Sequence, residues 1–528
     1  MCGIAGFTWA DEELVKRMAN RLSHRGPDGY GDFVDHHASL ACERLAIIDL
    51  SASARQPIFN EDHTLVLCYN GEIYNSASLI DDLIKRGHRF TSKTDGEVIV
   101  HAFEELGIDS FRLYDGMFAF ALYDRRSETI YLVVDHLGIK NLYFTLVDGN
   151  LLFASECKAL FEHPQVAPVA NQAIIDNIWV YGYNPAPSTP FQNIRCLEPG
   201  TFLAWKDKSI SFHRYWHFKK TGRAADVLTL REILEESVRE RLEADVPIAV
   251  LLSGGLDSSL VLPLAAKYRP DVKAFALGFS AQDNEFQYSR RVAELCGVEY
   301  EEVLLSDYDV ESDLNKIVYH QETPQDMGSV VPKWYLAQRI AKEGYKVVLG
   351  GSGADETWFG YRRHTGLYNM LKERRISSDL NRQYFDTWIL KQSGPDWLYQ
   401  QYASEAPWYD MCMFYDVFHE IPYYHCPRLD KTFMAWGLEY RIPFLDRELV
   451  ELSLNTPLQT KMGPGLHKYL LREVAKTFLP QEIVERPKNP LKIQQVVQDR
   501  DSWQEKLFKV WENMFIGQGE RLTLKEAK

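Results

Sequence analysis

The chain has 528 residues, more than one compact domain normally holds. Hydrophobic residues make up 45% and charged residues 25%, the balance of a water-soluble globular protein. No apolar run approaches the roughly 18 residues that a membrane helix needs. The 59 basic and 74 acidic residues give a formal net charge of −15, which disfavours a nucleic-acid partner. We therefore expect neither a membrane nor a nucleic acid among its partners.

The eight cysteines are scattered and form no CxxC pair, which favours reduced thiols. The start of the chain, MCGIAGFTWADEE, has no basic segment followed by a long apolar one, so it does not read as a signal peptide. Together these features predict a cytoplasmic enzyme.

The first candidate catalytic residue is the cysteine at position 2. If Met1 is removed, Cys2 carries a free α-amine beside its thiol. Such an amino-terminal nucleophile can use its own amine as the general base, so it requires no separate histidine. A cysteine at this position is weak evidence by itself, because most are incidental.

The segments that follow Cys2 make the interpretation specific. They are RLSHRGPDGYG at 21–31, ERLAIIDLS at 43–51, QPI at 56–58, CYNGEIYN at 68–75, TDGEVIVHAF at 94–103 and DGMFAFALYD at 115–124. Apolar stretches at 65–69, 118–123 and 130–134 fit two sheet layers covered by helices. Together these segments resemble the class II glutamine amidotransferase domain, which implies an αββα sandwich of the N-terminal-nucleophile (Ntn) hydrolase type. We place this domain at residues 2–210.

The resemblance implies a glutaminase in which Cys2 attacks the side-chain amide of L-glutamine. The Asn70 amide and the Gly71 backbone N–H match the oxyanion-hole positions of the family, since the tetrahedral oxygen needs two donors. Arg44 matches the residue that grips the α-carboxylate, a task suited to a bidentate fork. The glutamine-binding positions are Arg44, Asn70, Gly71, Glu72 and Asp95, of which the two acids would hold the α-ammonium.

Some residues of this half are expected to have no catalytic role. Arg25 and Asp28 are interpreted as turn or surface residues. Val134 and Asn141 replace an arginine and a proline that the family usually has near the string HLGIKPLYY, so we expect altered packing there and an intact glutaminase. The polar, glycine-containing segment KKTGRAAD at 219–226 reads as the linker.

The second half begins with helical periodicity from Val227 and is organised around LLSGGLDSS at 251–259. An apolar run, a glycine turn and a helical pattern predict a strand–loop–helix unit of a parallel α/β sheet. Gly254 and Gly255 let the backbone approach a ligand closely, and the serine hydroxyls with the free N–H groups of the helix start form an anion cradle. Asp257 would repel a phosphate unless a cation lay between them, so the loop predicts a magnesium-bound polyphosphate.

SGGLDSS resembles the pyrophosphate loop of the ATP pyrophosphatase superfamily, and the phosphate loop GxxxxGK[ST] is absent from the chain. Three further segments resemble the carboxy-terminal domain of asparagine synthetases, which we place at 227–515 as a parallel-sheet α/β domain with extra helices. They are KVVLGGSGADETWFGY at 346–361, RLDKTFMAWGLEYRIPFLD at 428–446 and HKYLLREVAKTFLPQEIVERPK at 467–488.

This second resemblance implies ATP and Mg²⁺ as cofactors. Asp257 and Asp355 would hold the metal, and Lys488 matches a lysine that contacts phosphate and developing charge. The implied ATP-binding positions are Leu251, Ser253, Gly254, Gly255, Asp257, Ser258, Leu277, Gly350 and Gly351. Family members are often dimers, so a homodimer is one expectation, although no segment reveals an interface.

The segment GGSGADE departs from the family, which reads SGEGSDE or SGDGGDE. Ser352 replaces an acid tied to the acyl-adenylate, Gly350 replaces a serine, and PQDMGSVVP at 324–332 is also changed. A serine cannot exchange a proton near neutral pH as a carboxyl can. The adenylating machinery thus looks retained while the acceptor pocket around Ser352 looks altered.

Three activities remain open from the sequence. The first is the family default, amidation of L-aspartate to L-asparagine with release of AMP and pyrophosphate. The second applies the same chemistry to another carboxylic acid, for example in a natural-product pathway. The third is closure of an intramolecular amide, as in β-lactam-forming relatives, and the intact glutaminase set argues against it. A binding or scaffold role would predict no pyrophosphate release.

Overall fold

The structure is a computed structural model that describes residues 2–184, 187–280, 283–325, 327–372, 408–464, 466–487 and 500–517. Two antiparallel sheets occupy the first half of the chain, and one parallel sheet occupies the second. Within the described ranges, no helix is both long and apolar enough to cross a bilayer.

The first antiparallel sheet has the strand order β10-β8-β9-β1-β3-β2. Its strands are β1 (Cys2–Phe7), β2 (Gly29–Val34), β3 (Ser39–Arg44), β8 (Tyr143–Val147), β9 (Asn150–Ala154) and β10 (Arg195–Cys196). The second sheet has the order β12-β11-β7-β6-β5-β4. Its strands are β4 (Ile58–Phe59), β5 (Leu65–Ile73), β6 (Gly116–Asp124), β7 (Thr129–Val134), β11 (Thr201–Lys206) and β12 (Ser209–Arg214).

The two sheets pack face to face, and each is covered by helices on its outer side. Ile4 and Cys42 of the first sheet share an apolar cluster with Cys68 and Ala119 of the second. Helix α1 (Glu12–Asn20) packs its buried face on the first sheet, while α2 (Ser76–Arg86) and α3 (Glu97–Leu106) cover the second. This four-layer arrangement confirms the predicted αββα sandwich.

The second half contains a five-stranded parallel sheet of order β15-β14-β13-β16-β17. Its strands are β13 (Ile248–Leu251), β14 (Lys273–Gly278), β15 (Glu299–Leu304), β16 (Val347–Leu349) and β17 (Glu439–Arg441). The central strands are apolar because helices cover both faces of the sheet. The carboxyl ends of neighbouring β13 and β16 meet at one edge, where open α/β sheets bind ligands. The predicted α/β class is confirmed here as well.

Short helices complete both halves. They are α4 (Cys157–Leu160), α5 (Gln172–Tyr181), α6 (Val227–Glu240), α7 (Leu256–Tyr268), α8 (Asn284–Cys296), α9 (Val310–Gln321), α10 (Val330–Lys342), α11 (Ala354–Trp358), α12 (Arg362–Lys372), α13 (Trp408–Tyr415), α14 (Cys426–Met434), α15 (Arg447–Asn455), α16 (Leu458–Met462), α17 (Tyr469–Ala475), α18 (Gln481–Val484) and α19 (Arg500–Trp511). One apolar cluster joins Leu14 and Tyr143 to Leu314, Trp334 and Trp511, so the two halves share a core.

Charged side chains are also buried where the two halves meet. Arg25, 1% exposed, donates to Glu156 Oε1 and to Asp430 Oδ2, each at 2.8 Å. Lys140 Nζ lies 2.9 Å from the other oxygen of Asp430. The expectation that Arg25 has a turn or surface role is therefore wrong, because its charge is paired with both halves. Asp28 is exposed, as expected, and contacts Lys346 of the second half.

Candidate active sites

Cys2 begins the central strand β1, and its side chain lies between the two sheets at 3% exposure. The pairing of β1 with β3 places Cys2 directly opposite Arg44. The backbone N–H of Cys2 donates to Asn70 Oδ1 at 3.0 Å, and Gln56 Nε2 lies 3.2 Å from the thiol sulfur. Residues from three separate strands or turns thus surround Cys2.

Only one of the two polar atoms of the Asn70 side chain makes a hydrogen bond within the described part of the chain. Its Oδ1 accepts from Cys2, whereas its buried Nδ2 makes no hydrogen bond within the described part of the chain. Buried amide nitrogens nearly always have a partner, so a free donor at this point is informative. It is available to a negatively charged oxygen formed beside the sulfur.

The charge state of the Cys2 thiol is set by opposing effects. Burial raises its pKa, while a hydrogen bond with Cys42, the positive amino terminus and Arg44 lower it, and the net result is a pKa of about 6. A thiol with this pKa is largely thiolate at neutral pH, and the thiolate is the nucleophilic form. The chemistry that a cysteine nucleophile requires is present at this position.

Two buried carboxylates stand beside the cysteine. Asp95 accepts from the Tyr69 hydroxyl at 2.6 Å and from the Ile73 N–H at 2.7 Å. Burial raises the pKa of both Glu72 and Asp95, and the nearby Glu439 carboxylate adds to the shift. A pair of desolvated acids favours a cation in the same pocket.

These side chains line one small pocket. It contains Cys2, Arg44, Gln56, Gly71, Glu72 and Asp95. The Arg44 guanidinium is held from behind by the carbonyls of Ser51 and Asp49, at 3.2 and 2.5 Å. The structure thus brings all of the predicted glutamine-binding residues to one place, since Asn70 adjoins them on β5.

One residue that lines this pocket, Glu72, also contacts the second half of the chain. Arg441 of β17 lies 3.1 Å from Glu72 and 2.5 Å from Glu439. Side chains alternate along a strand, so Tyr440, which lies between Glu439 and Arg441, points to the opposite face. Its hydroxyl lies 2.9 Å from Ser352 Oγ, which follows β16. A strand of three residues therefore touches both candidate sites.

The glycine-rich loop lies between β13 and α7, as the sequence predicts. The N–H of Ser253 donates to Ser258 Oγ at 3.0 Å, and the two serine hydroxyls lie 2.9 Å apart. Gly254 has φ +68°, and a Cβ there would come within 2.8 Å of Ser289 N, so the turn requires glycine. The loop closes tightly on itself over the start of the helix.

The two predicted metal ligands face each other across the sheet edge. Lys468 Nζ lies between them, 2.5 Å from Asp257 Oδ2 and 2.6 Å from Asp355 Oδ1. An ammonium group bridging two carboxylates shows that this point attracts positive charge. Oxygen ligands of this kind suit Mg²⁺, so the residues present fit that ion.

Glycines permit a close approach at the end of β16. A Cβ on Gly351 would lie 2.7 Å from Ser258 N, and a Cβ on Gly350 would lie 1.9 Å from the Tyr440 hydroxyl oxygen. The Tyr440 side chain therefore fills the space that a serine at position 350 would need. This contact gives a physical reason for Gly350.

A larger cavity opens beside Ser352, with a volume of about 310 Å³. It is lined by Lys333, Ser352, Asp355, Glu356, His425 and Arg428, among others. Burial and the nearby Arg428 lower the pKa of Lys333 to about 8, while Glu356 opposes that shift. His425 Nε2 lies 3.1 Å from Glu356 Oε1, so the cavity offers three basic groups and two acidic ones.

The remaining predicted residues have simple positions. Leu251 and Leu277 lie at the carboxyl ends of neighbouring strands β13 and β14, partly buried against the core. Lys488 lies outside the described residues, and so does Asp326 within the altered 324–332 segment.

Several contacts were not predicted from the sequence. Gln56, Lys468, Tyr440 and Arg441 all fall within motifs quoted above, yet no role could be assigned to them. Arg486 is a further case, since it donates to the carbonyl of Gly254 at 2.8 Å. Their contacts arise from strands and loops that are far apart in sequence, and only the motif membership was available as a signal.

The first half of the chain places a buried cysteine, at its second residue, inside a double antiparallel sheet. The second half adds a parallel sheet with a glycine-rich loop and a pair of aspartates. These features define an enzyme with two separate sites. The family profile for the glutamine amidotransferase domain matches residues 1–216, and that for asparagine synthase matches residues 229–517. The chain belongs to the asparagine synthase family. It is a ligase with glutamine-dependent amidotransferase function.

Curated relatives match along most of the chain. Asparagine synthetase [glutamine-hydrolyzing] 1 of Bacillus subtilis is 29% identical over 92% of this chain and 86% of its own length. The enzyme of that name from Lotus japonicus is 31% identical, with 92% and 77% covered. Asparagine synthetase B [glutamine-hydrolyzing] of Escherichia coli is 30% identical, with 92% and 81% covered.

Among solved structures, the glutamine phosphoribosylpyrophosphate amidotransferase of B. subtilis complexed with ADP and GMP matches with a TM-score of 0.32 and 17% identity. The match covers 57% of this chain and 65% of that one.

Proposed function

We propose that this enzyme converts L-aspartate to L-asparagine, with glutamine as the nitrogen donor and ATP cleaved to AMP and pyrophosphate. The observation that carries the proposal is the presence of two complete but separate pockets, one around Cys2 and one beside the Asp257–Asp355 pair. Relatives named as glutamine-hydrolysing asparagine synthetases support the same assignment. We further propose that the domains run from 2 to 210 and from 227 to 515.

The glutamine pocket supports release of ammonia from glutamine. Cys2 Sγ is the proposed nucleophile, and its low pKa favours the reactive thiolate. The free Asn70 Nδ2 and the Gly71 N–H are the proposed donors to the tetrahedral oxygen. Glu72 and Asp95 supply the negative charge that an α-ammonium would neutralise, and Arg44 supplies the fork for the α-carboxylate.

The second pocket supports activation of a carboxylate by ATP. Ser253 to Ser258 form the proposed phosphate loop at the start of α7, where helix N–H groups favour anions. Asp257 and Asp355 are the proposed holders of Mg²⁺, which would neutralise phosphate charge when bound. Leu251, Leu277, Gly350 and Gly351 are the proposed contacts to the nucleotide.

The cavity beside Ser352 supports a dicarboxylic amino acid as the acceptor. Lys333 and Arg428 can pair with carboxylates, and Glu356 can pair with an α-ammonium. The acceptor carboxylate would attack the α-phosphate, leaving an acyl-adenylate that ammonia converts to the amide. Ser352 cannot act as an ionisable acid, so we infer that its hydrogen bond with Tyr440 positions the acceptor instead.

The test measures pyrophosphate release by the full chain with ATP, Mg²⁺ and glutamine, comparing L-aspartate with L-glutamate, succinate and a panel of other carboxylic acids. We expect release with aspartate, and asparagine identified by mass spectrometry. Cys2→Ala should abolish glutamine-dependent release and retain release with ammonium chloride. Asp355→Asn should abolish both.

A matched control is Cys296→Ala, which removes a half-buried thiol far from both pockets and should change neither rate. If aspartate gives no pyrophosphate release and a different acid does, that acid replaces aspartate as the proposed acceptor, and the proposed chemistry stands. No release with any acid, despite intact glutaminase activity, would overturn the proposal.

A further inference from the structure

Four potential metal ligands meet on the outer side of the second sheet. Glu61 lies in the turn between β4 and β5, His88 follows the end of α2, and His101 and Glu104 lie one turn apart on α3. One ligand atom from each of the four lies within 4.8 Å of the others. None of these residues lines either candidate active site.

The distances among these atoms suit a small ion. Nδ1 of His101 is 3.3 Å from Glu61 Oε2, and Nδ1 of His88 is 3.6 Å from Glu61 Oε1 and 3.8 Å from Glu104 Oε2. Four ligands placed about 2.0–2.2 Å from a tetrahedral ion lie roughly 3.3–3.5 Å apart. The cluster needs a contraction of only a few tenths of an ångström at these contacts.

Both histidines are oriented by a second carboxylate. Nε2 of His88 lies 3.1 Å from Glu105 Oε1, and Nε2 of His101 lies 3.5 Å from Glu97 Oε1. Each ring therefore turns its Nδ1 toward the centre of the cluster. Metal-binding histidines usually have such an outer carboxylate, which fixes the ring and makes it a stronger ligand.

His101 gives the second, independent indication of a ligand. It is only 1% exposed, and its Nδ1, 3.3 Å from Glu61 Oε2, has no hydrogen bond of good geometry among the described residues. A buried polar atom without a well-formed hydrogen bond is costly, and native structures seldom retain one. An ion bound to Nδ1 would satisfy it.

We propose that Glu61, His88, His101 and Glu104 bind one divalent transition-metal ion of the zinc type. Two imidazole nitrogens and two carboxylates favour Zn²⁺ over Mg²⁺ or Ca²⁺, which prefer oxygen ligands alone. The site is distinct from the proposed magnesium site at Asp257 and Asp355.

The location suggests a structural role for the ion. Glu97, which faces His101, also accepts from the N–H groups of Thr91 and Ser92 at 2.7 and 2.8 Å. These residues precede Asp95 in the glutamine pocket. An ion at the cluster would tie α3, the end of α2 and the Glu61 turn to this segment.

The test uses the full chain carrying Cys2→Ala, because the active-site thiolate could itself bind zinc. After treatment with a chelator and its removal, Zn²⁺ is titrated by calorimetry, and Co²⁺ is added to record its visible absorption. We expect one equivalent of Zn²⁺ and the intense d–d bands of tetrahedral cobalt. His88→Ala and Glu104→Gln, each of which removes one proposed ligand, should remove both signals.

Glu105→Gln should weaken zinc binding about tenfold, because it removes the outer partner of His88 and leaves every ligand in place. The control His37→Ala removes an exposed histidine paired with Glu128 and should have no effect. Zinc binding of equal affinity in the parent and in His88→Ala would overturn the proposal. So would an octahedral cobalt spectrum with no change in Glu104→Gln.

Discussion

At the scale of single residues, the reactivity of Cys2 depends on a neighbour that no motif identifies. Cys42 lies on β3 next to β1, and its side chain is hydrogen bonded to the Cys2 thiol. The proton stays with Cys42, because burial and the adjacent Cys2 raise the pKa of Cys42 well above its usual value. One buried thiol therefore stabilises the thiolate of another.

Alkylation of Cys2 tests this pairing. In the chain lacking Met1, we expect the rate with iodoacetamide to rise with a midpoint near pH 6 and to be constant above it, since the thiolate reacts. Cys42→Ala should move the midpoint to higher pH. Cys296, whose pKa burial raises to about 11, stays protonated over this range, so Cys296→Ala should leave the profile unchanged. A wild-type midpoint near 8.5 would contradict the pairing.

Lys468 gives a second prediction at this scale. Lys468→Met leaves Asp257 and Asp355 facing each other without the ammonium, which should lower the free energy of unfolding by about 2 kcal/mol. Millimolar Mg²⁺ should recover this loss, because an ion that binds only the folded state stabilises it. Thermal unfolding with and without Mg²⁺ measures both effects.

The control for this measurement is Lys476→Met, which breaks an exposed pair with Glu473 and should change little. No stabilisation of Lys468→Met by Mg²⁺ would show that the two aspartates do not hold the ion.

At the scale of elements, the contact between the end of β16 and β17 explains a departure from the family pattern. The sequence showed that Gly350 replaces a serine, but not why. The structure puts the hydroxyl of Tyr440 where a side chain at 350 would lie. Residues 350 and 440 are 90 positions apart, and only the parallel pairing of these strands brings them together.

Gly350→Ala should reduce pyrophosphate release at least a hundredfold and leave glutaminase activity intact, because the added Cβ overlaps Tyr440. Combining Gly350→Ala with Tyr440→Ala should be milder than the two single effects added together, as expected for residues in contact. The activities and the unfolding free energies of the parent, the two single variants and the double variant form a double-mutant cycle. Gly29→Ala, with nothing within 4 Å of the new Cβ, is the control. Strict additivity would contradict the contact.

The sequence predicted the layers of the fold because its motifs mark local units: a strand, a turn and the start of a helix. It also predicted that Asn70, Gly71 and Glu72 lie together, since they are consecutive on one strand. It could not predict Arg441 beside Glu72 or Lys468 between the aspartates. Those contacts depend on how the two halves pack, and a strand motif carries no information about its distant neighbours.

At the scale of the whole molecule, buried charges join the two halves. Asp430 accepts from Arg25 and Lys140, while Lys431, the next residue, lies 2.7 Å from Glu322. Burial alone would raise the pKa of Asp430, but the two cations lower it below the usual aspartate value. The stability that this pairing adds is thus complete above about pH 4, the ordinary value, and is lost as the pH falls toward the folded-state pKa.

Asp430→Ala should lower the free energy of unfolding by roughly 3–5 kcal/mol at pH 7, because it leaves Lys140 buried without its partner and Arg25 with Glu156 alone. The difference from the parent should shrink at pH 3, where the Asp430 carboxylate of the unfolded parent is largely protonated. Urea unfolding at both pH values measures this. Glu448→Gln, which removes an exposed partner of Arg223, should cost little at either pH. A loss under 1 kcal/mol for Asp430→Ala would show that the halves do not depend on this pairing.

Strand β17 also constrains how the two reactions can be timed. Its three residues present Arg441 to Glu72 on one face and Tyr440 to Ser352 on the other. If the α-ammonium of glutamine takes Glu72 from Arg441, Arg441 must change its contacts, and any movement of β17 that follows would reach Tyr440 as well. A coupling free energy between two ligands is reciprocal, so an acceptor bound beside Ser352 would then alter the affinity for glutamine by the factor by which glutamine alters the affinity for the acceptor. The two binding events would be linked through a segment of three residues.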